Sequence, residues 1–230
     1  MTPSRRNETG RARQIPEDSV LQYHYGEWEI ARDPAHPNHA LPEIRPDLRR
    51  ILDIGCGMGQ SLMALQLPGA IEAWGLDRDA DALAAGSRLV TSNIHLLAGE
   101  GELLPFPDCS FDLVFSRVAL PYMDISRVIA EVARVLEPGG EFWAMLHPPG
   151  MLLSRIGQDI RSGSVKDLIF CGGVGLNSFL LHVLGRQFRI GRWCETVQTQ
   201  SGMRRILAAG GLRPLPVRRE AHLIVRAYKS

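Results

Sequence analysis

Ile51-Leu52-Asp53-Ile54-Gly55-Cys56-Gly57-Met58-Gly59 is the stretch whose reading decides the fold. It opens as a short apolar run from Arg50 and closes in a glycine cluster, and a helical pattern follows over 60–67. Between a strand and a helix, glycines let the backbone approach a ligand closely and leave N–H groups facing it at the helix N-terminus. The expected ligand is nucleotide-like and sits at the carboxyl ends of the strands. Spacing then discriminates. A dinucleotide loop reads G-x-G-x-x-G and needs glycine at position 60, where this chain has Gln60. The third glycine comes one residue early, at Gly59, and the acid that opens the loop, Asp53, is foreign to the dinucleotide pattern.

Outward from the loop, apolar runs alternate with helical patterns. Strands are expected over 50–54, 70–76, 94–97, 111–115 and 141–146, with helices over 60–67, 80–90 and 125–136 between them. The second run ends at Asp77, and Pro138-Gly139-Gly140 turns the chain into the fifth strand. Such alternation implies a doubly wound parallel sheet with helices on both faces, and near-continuous apolar runs fit strands buried on both sides. Tyr23, Tyr25, Trp28 and Ile30 mark a helical N-terminal cap, preceded by a polar tail over 1–17 that carries Arg5, Arg6, Arg11 and Arg13. From 148 to 193 the pattern loosens, broken by Gly157, Gly163, Gly172, Gly173, Gly175, Gly185 and Gly191. That is too long for a simple loop, so a structured insert is expected within a single domain over 18–230. A helix over 201–209 and two closing strands, near 212–218 and 222–228, complete the chain.

These residues resemble the motifs of the class I S-adenosylmethionine (SAM)-dependent methyltransferases. The resemblance is close over about residues 48–147 and looser over the last thirty. The segment 51–59 is similar to the family's first motif. Asp77 matches its ribose-binding acid, whose two oxygens suit two neighbouring hydroxyls. Gly99-Glu100-Gly101-Glu102-Leu103-Leu104-Pro105-Phe106-Pro107-Asp108 is similar to the segment that receives adenine. Glu100 stands where the family usually has Asp; its carboxylate would accept from the adenine amino group and the Gly101 N–H would donate to the ring. Phe111-Asp112-Leu113-Val114-Phe115-Ser116 is similar to the fourth strand, and Arg134-Val135-Leu136-Glu137-Pro138-Gly139-Gly140 to the segment before the fifth. The branch resembled holds quinone-biosynthesis C-methyltransferases and small-molecule O- and N-methyltransferases. It implies a Rossmann-like, seven-stranded, mostly parallel sheet whose last hairpin makes one strand antiparallel. It also implies SAM as cofactor. The residues expected to bind it are Asp53, Gly55, Cys56, Gly57, Asp77, Arg78, Glu100, Gly101, Glu102 and Ser116.

Methyl transfer from a sulfonium needs mainly alignment and desolvation, and a base only where the acceptor must lose a proton. Candidates follow the fourth and fifth strands. His147 is the catalytic candidate, with a pKa suited to a base, its alternative being a histidine that only packs or caps. Arg117 either holds an acidic substrate group or pairs with Asp124. Tyr23, Tyr25 and Trp28 either close over SAM or belong to the core. Glu195, His182 and Arg192 are expected on the surface. The insert over 148–193, rich in Leu, Phe and Gly, is expected to be a substrate lid, with homodimerisation as its alternative role.

Composition narrows the partners. Lys and Arg number 26 against 25 Asp and Glu, a net charge of +1 that gives no general attraction to nucleic acid or an anionic membrane. No apolar run reaches the roughly 18–20 residues of a membrane span, and the polar stretch from Thr2 to Asp18 lacks a signal peptide's apolar segment. Cys56, Cys109, Cys171 and Cys194 are scattered, which fits a reducing cytoplasm rather than disulfides or zinc. The expected activity is methyl transfer to a small-molecule O, N or C acceptor. The alternatives are an RNA or protein methyltransferase, a non-catalytic SAM-binding partner and, opposed by Gln60, a dinucleotide oxidoreductase.

Overall fold

The computed structural model describes residues 17–146, 165–185, 187–188, 195–216, 218–219 and 222–230, with side chains from 21 onward apart from 165–168 and 218–219. Helix α1 (Glu17–Arg32) precedes β1 (Arg50–Ile54), α2 (Gln60–Ala64), β2 (Glu72–Asp77), α3 (Ala80–Gly86) and β3 (Ile94–Ala98). Then come β4 (Phe111–Arg117), a 3₁₀ turn (Leu120–Tyr122), α4 (Ile125–Val135) and β5 (Leu136–Leu146). Helices α5 (Val165–Leu184) and α6 (Gln200–Ala209) lead to β6 (Leu212–Pro214), β7 (Arg218–Arg219) and β8 (Leu223–Lys229). The strand order is β3-β2-β1-β4-β5-β8-β6, with β7 also on β8. β1 to β5 are parallel, and β8 runs antiparallel between β5 and the edge. Since β6 and β7 pair with opposite ends of β8, eight strands fill seven positions. The expected sixth strand is split there because Pro214 and Pro216 lack the N–H an uninterrupted ladder needs.

Successive residues of each strand point to opposite faces. Leu52, Ile54, Val114, Phe142 and Ala144 enter the apolar layer under α4 and α6. Ile51, Leu113, Phe115, Trp143 and Met145 enter the other, with Leu62 of α2. The chain winds β1 to β3 in one direction and resumes on the other side of β1 with β4. That reversal opens a crevice at the carboxyl ends of β1 and β4, the position where doubly wound sheets bind ligands.

Three local expectations are corrected. Helix α3 stops at Gly86 rather than at 90, and Gly86 packs on the Met58 carbonyl so closely that a Cβ would collide with it. The Pro138-Gly139-Gly140 turn lies inside β5, as a register shift opposite Phe111 and Leu113 with Gly139 at φ 79°. Third, the glycines at 172, 173 and 175 do not break the insert, since α5 runs 20 residues through them. Burial of Cys171, Val174 and Leu181 offsets the roughly 1 kcal/mol that each glycine costs a helix. His182 is also not a surface residue: it is half-buried, with Nε2 near the Val197 carbonyl and accepting from the Thr199 N–H. Of the expected tail, residues 1–16 lie outside the described residues and Glu17 already opens α1; His147, 148–164 and Arg192 also lie outside them.

Glu141 ties the strand ends opposite the crevice together. Its buried carboxylate accepts from Arg45 Nη1 at 3.1 Å, from the Tyr228 hydroxyl at 3.0 Å and from Arg226 Nε. Removing it leaves the Arg226 guanidinium and the Tyr228 hydroxyl without this acceptor, and Arg45 with Asp47 alone. Glu141→Ala should therefore lose about 2 kcal/mol of stability, read as a lower urea midpoint at unchanged slope. An unchanged midpoint would show that the cluster contributes nothing.

Candidate active site

The loop after β1 is sewn to the end of β2. The N–H groups of Gly55 and Cys56 donate to the Leu76 carbonyl at 2.7 and 3.1 Å. The Gly57 N–H donates to Asp77 Oδ2 at 2.7 Å, and the Asp79 N–H to Asp77 Oδ1 at 2.9 Å. Two charge-assisted bonds thus fix the Asp77 carboxylate before any ligand arrives. Two glycines are demanded by contact as well as by φ. A Cβ at Gly55 (φ 76°) would collide with Ala119, and one at Gly57 (φ 56°) would come within 2.6 Å of the His24 ring. Gln60 braces the same loop: Oε1 accepts from the Met58 N–H at 3.0 Å, and Nε2 lies 3.4 Å from His24 Nδ1.

The second wall is the segment after β3. Helix α4 lashes it down through Arg134, which donates to the carbonyls of Leu104 (2.9 Å) and Phe106 (2.7 Å). Glu131 accepts from the Leu104 N–H at 2.8 Å and pairs with Arg134. Arg134 lowers the pKa of the Glu131 carboxyl, so this brace stays charged at neutral pH. Gly101 packs against Ile54 and Met123, and Glu102 accepts from the Asp124 N–H at 3.0 Å.

Between these walls lies a cavity. Gly55, Asp77, Arg78, Asp79 and 99–102 line one end; Arg117, Val118, Ala119, Tyr122 and Met123 line the other. α1 covers it with Tyr23, His24 and Glu27. The structure therefore brings together Gly55, Asp77, Arg78, Glu100, Gly101 and Glu102 and leaves Asp53, Cys56, Gly57 and Ser116 outside the lining. Ser116 is buried and donates to the Ile54 carbonyl at 2.8 Å, pinning β4 to β1. Cys56 is buried with its thiol pushed up by burial. Arg117 pairs with Glu27 at 2.7 Å rather than with Asp124, which instead caps α4. Of the α1 aromatics weighed, Tyr23 lines the cavity, its hydroxyl pushed up to about 12 by burial and then by Glu27; Tyr25 and Trp28 do not. His24 and Glu27 carry no motif, and only their place in the N-terminal cap pointed to them; Gln60, read in the sequence only as breaking the dinucleotide pattern, also lines the cavity. Val118 has φ 61°, unusual for a β-branched residue, and this left-handed turn sets Ala119 against Gly55.

No described residue of α5 lines the cavity. The insert reaches it indirectly. Gln187 accepts from the Ile125 N–H and donates to the Met123 carbonyl, and the Thr196 N–H donates to the Pro121 carbonyl.

A doubly wound sheet with a cavity at its switch point, floored by a glycine loop and gripped by an acid at the end of β2, defines a nucleoside-binding α/β domain. Residues 52–144 match a family model described as a methyltransferase domain. Among curated relatives, it is 35% identical over 103 residues to the uncharacterized methyltransferase YcgJ of Bacillus subtilis, covering 43% of this chain and 40% of that protein. It is 29% identical over 148 residues to the 2-methyl-6-phytyl-1,4-hydroquinone methyltransferase of Synechocystis, covering 55% and 46%. The chain thus spans about half the length of these relatives or less. Its fold matches the crystal structure of an S-adenosylmethionine-dependent methyltransferase from Mesorhizobium loti, with a TM-score of 0.56 at 21% identity over 82% of this chain and 94% of that one. The residues present fit SAM: a fixed carboxylate for a diol, a glycine cradle no side chain can fill, and Asp53, a buried carboxylate with no hydrogen-bond partner for either oxygen. Among the described residues no helix is long and apolar enough to cross a membrane.

The Asp53 carboxyl is pushed well up by burial and by Asp77, with Arg117 opposing. For an acid with a raised folded-state pKa, the unfolded chain ionises first. Stability is therefore lost as pH rises above the ordinary Asp value of about 4, and no penalty exists below it. Asp53→Asn lacks that penalty. The melting temperature of the ligand-free variant should gain on wild type as pH is raised from 4 to 8. A difference independent of pH would mean that Asp53 titrates normally.

Proposed function

We propose that this chain transfers the methyl group of SAM to a small-molecule acceptor. The observation that carries this reading is the fixed Asp77 carboxylate, sharing one cavity with the glycine loop and the 99–102 turn. When bound, SAM supplies an electrophilic methyl on a sulfonium. The chain's residues do the rest. Asp77 receives the ribose hydroxyls with lone pairs that Gly57 and Asp79 leave open, and Arg78 flanks it. Glu100 and the Gly101 N–H read the adenine edge, with Glu102 anchoring that turn. Asp53, beneath Gly55, attracts the ammonium of the methionine tail. Gly55, Cys56, Gly57 and Ser116 shape the floor through their backbone. Ala119, Tyr122 and Met123 then face the side from which an acceptor comes, and α1 excludes water from it.

Enclosure by α1 and a balanced net charge favour a small acceptor over RNA or protein. The Synechocystis relative, named for a hydroquinone, supports the same class. His147 is proposed as the proton acceptor where the substrate needs one, and the insert over 148–193 as the substrate lid. The exposed row Ile169, Leu176, Phe179 and Val183 on α5 supports a subunit contact as the second role of the insert.

Asp77→Ala removes an acceptor for two hydroxyls and for the Gly57 N–H. Calorimetry should show SAM affinity at least about tenfold weaker; unchanged affinity in a folded variant would remove Asp77 from the site. For the acceptor class, methyl-labelled SAM is incubated with the protein and a cell extract divided at about 1 kDa. Label should enter the small-molecule fraction in a protein-dependent way. Label in RNA or protein would overturn the small-molecule reading.

A further inference from the structure

Arg117 is the last residue of β4, at the switch point, and it lines the cavity while its side chain is only 3% exposed. A guanidinium offers five N–H donors. Among the described residues, one bond is made, from Nη1 to Glu27 Oε2 at 2.7 Å, and Nε is buried without a partner. A buried cation whose donors are mostly unfilled is costly unless an acceptor completes it. The other charged and titratable groups that act on it are Glu27 and Tyr23 from α1, His222 from β8's approach and Asp53 from β1.

Asp53 is the informative one. It sits on the adjacent strand, opposite Phe115 and so two residues from Arg117 in register. Both its oxygens are buried and unpartnered, yet it makes no ion pair with Arg117. One unfilled carboxylate and one mostly unfilled guanidinium at neighbouring strand ends complement a single zwitterion, with an ammonium toward Asp53 and a carboxylate toward Arg117. We propose that Arg117 is the carboxylate receptor of this cavity, taking its planar oxyanion on the N–H groups that Glu27 leaves open. The proposal rests on the SAM reading. The carboxylate has two sources: the methionine tail of the cofactor, which the neighbouring Asp53 favours, or an acid group on the acceptor.

Calorimetry on wild type, Arg117→Gln and Glu27→Gln separates them. The probes are S-adenosylhomocysteine, 5′-methylthioadenosine (the same nucleoside without the amino-acid tail) and benzoate added to the S-adenosylhomocysteine-loaded protein. If Arg117 holds the tail, Arg117→Gln weakens S-adenosylhomocysteine at least about tenfold and leaves methylthioadenosine unchanged. If it holds the acceptor, both nucleosides bind as before, and saturable benzoate binding to wild type is lost in the variant. Glu27→Gln, which frees the guanidinium, keeps or tightens carboxylate binding in either case. Should Arg117→Gln not fold, Arg117→Lys keeps the charge and loses the fork, and is expected to show the same selectivity with a smaller factor. Equal weakening of both nucleosides by Arg117→Gln and by Glu27→Gln would make the pair only a clamp for α1 and overturn the proposal, as would no change with any probe. Wild type that binds neither nucleoside would instead remove the SAM reading itself.

Discussion

The carboxyl end of β2 carries the constraint on which the site depends. Its Leu76 carbonyl and Asp77 carboxylate together take three N–H groups from the loop after β1, and the other Asp77 oxygen takes the Asp79 N–H. These bonds form only where β1 lies directly beside β2 and ends in register with it, as Ile54 does with Leu76. The parallel pairing of two short strands is thereby converted into the placement of an acid and a glycine turn. Each bond to the carboxylate is worth more than a neutral one, because the acceptor is charged. The same acid that faces the cavity thus also holds the loop, so its orientation does not wait for a ligand.

What packs on the loop follows from its shape. Gly86 of α3 abuts the Met58 carbonyl, His24 of α1 covers Gly57, and Ala119 after β4 meets Gly55. Each contact leaves no room for a Cβ on the glycine side. The far wall has a different brace: Arg134 spans the carbonyls of Leu104 and Phe106 and is itself held by Glu131. The cavity is therefore shaped on one side by backbone closeness and on the other by a charged side chain reaching from α4.

The sequence carried the parts of this arrangement that are local. The β1 loop, Asp77 and the segment 99–108 are contiguous, and their chemistry shows in the order of residue types. Strand positions were legible because burial on both faces makes them uniformly apolar. What was illegible is nonlocal. Arg117 and Glu27 lie 90 residues apart, and neither spacing nor composition joins them. The glycine at 86 is demanded by a contact with the Met58 carbonyl elsewhere in the chain. Glycines in α5 look like breakers until the buried face of Cys171, Val174 and Leu181 is known. Ser116 and Cys56 stand at motif positions with side chains that point into packed structure, which leaves only their backbone to shape the cavity floor.

Buried groups without partners separate structure from function only when their surroundings are considered. Trp74 Nε1, Gln198 Oε1 and His182 Nδ1 are also unpartnered, but these residues neither line the cavity nor sit beside Arg117 on the neighbouring strand, as Asp53 does. At the ends of β1 and β4 the unfilled groups are a carboxyl and a guanidinium, which lie on neighbouring strands and adjoin the cavity at Gly55 and Arg117. Direct pairing of Asp53 with Arg117 would satisfy both and stabilise the free protein, yet the fold keeps them apart. Natural proteins retain such local costs where a ligand meets them. The unspent hydrogen-bonding capacity at this corner is therefore read as part of the binding site, whereas the isolated orphans in the body of the fold are not.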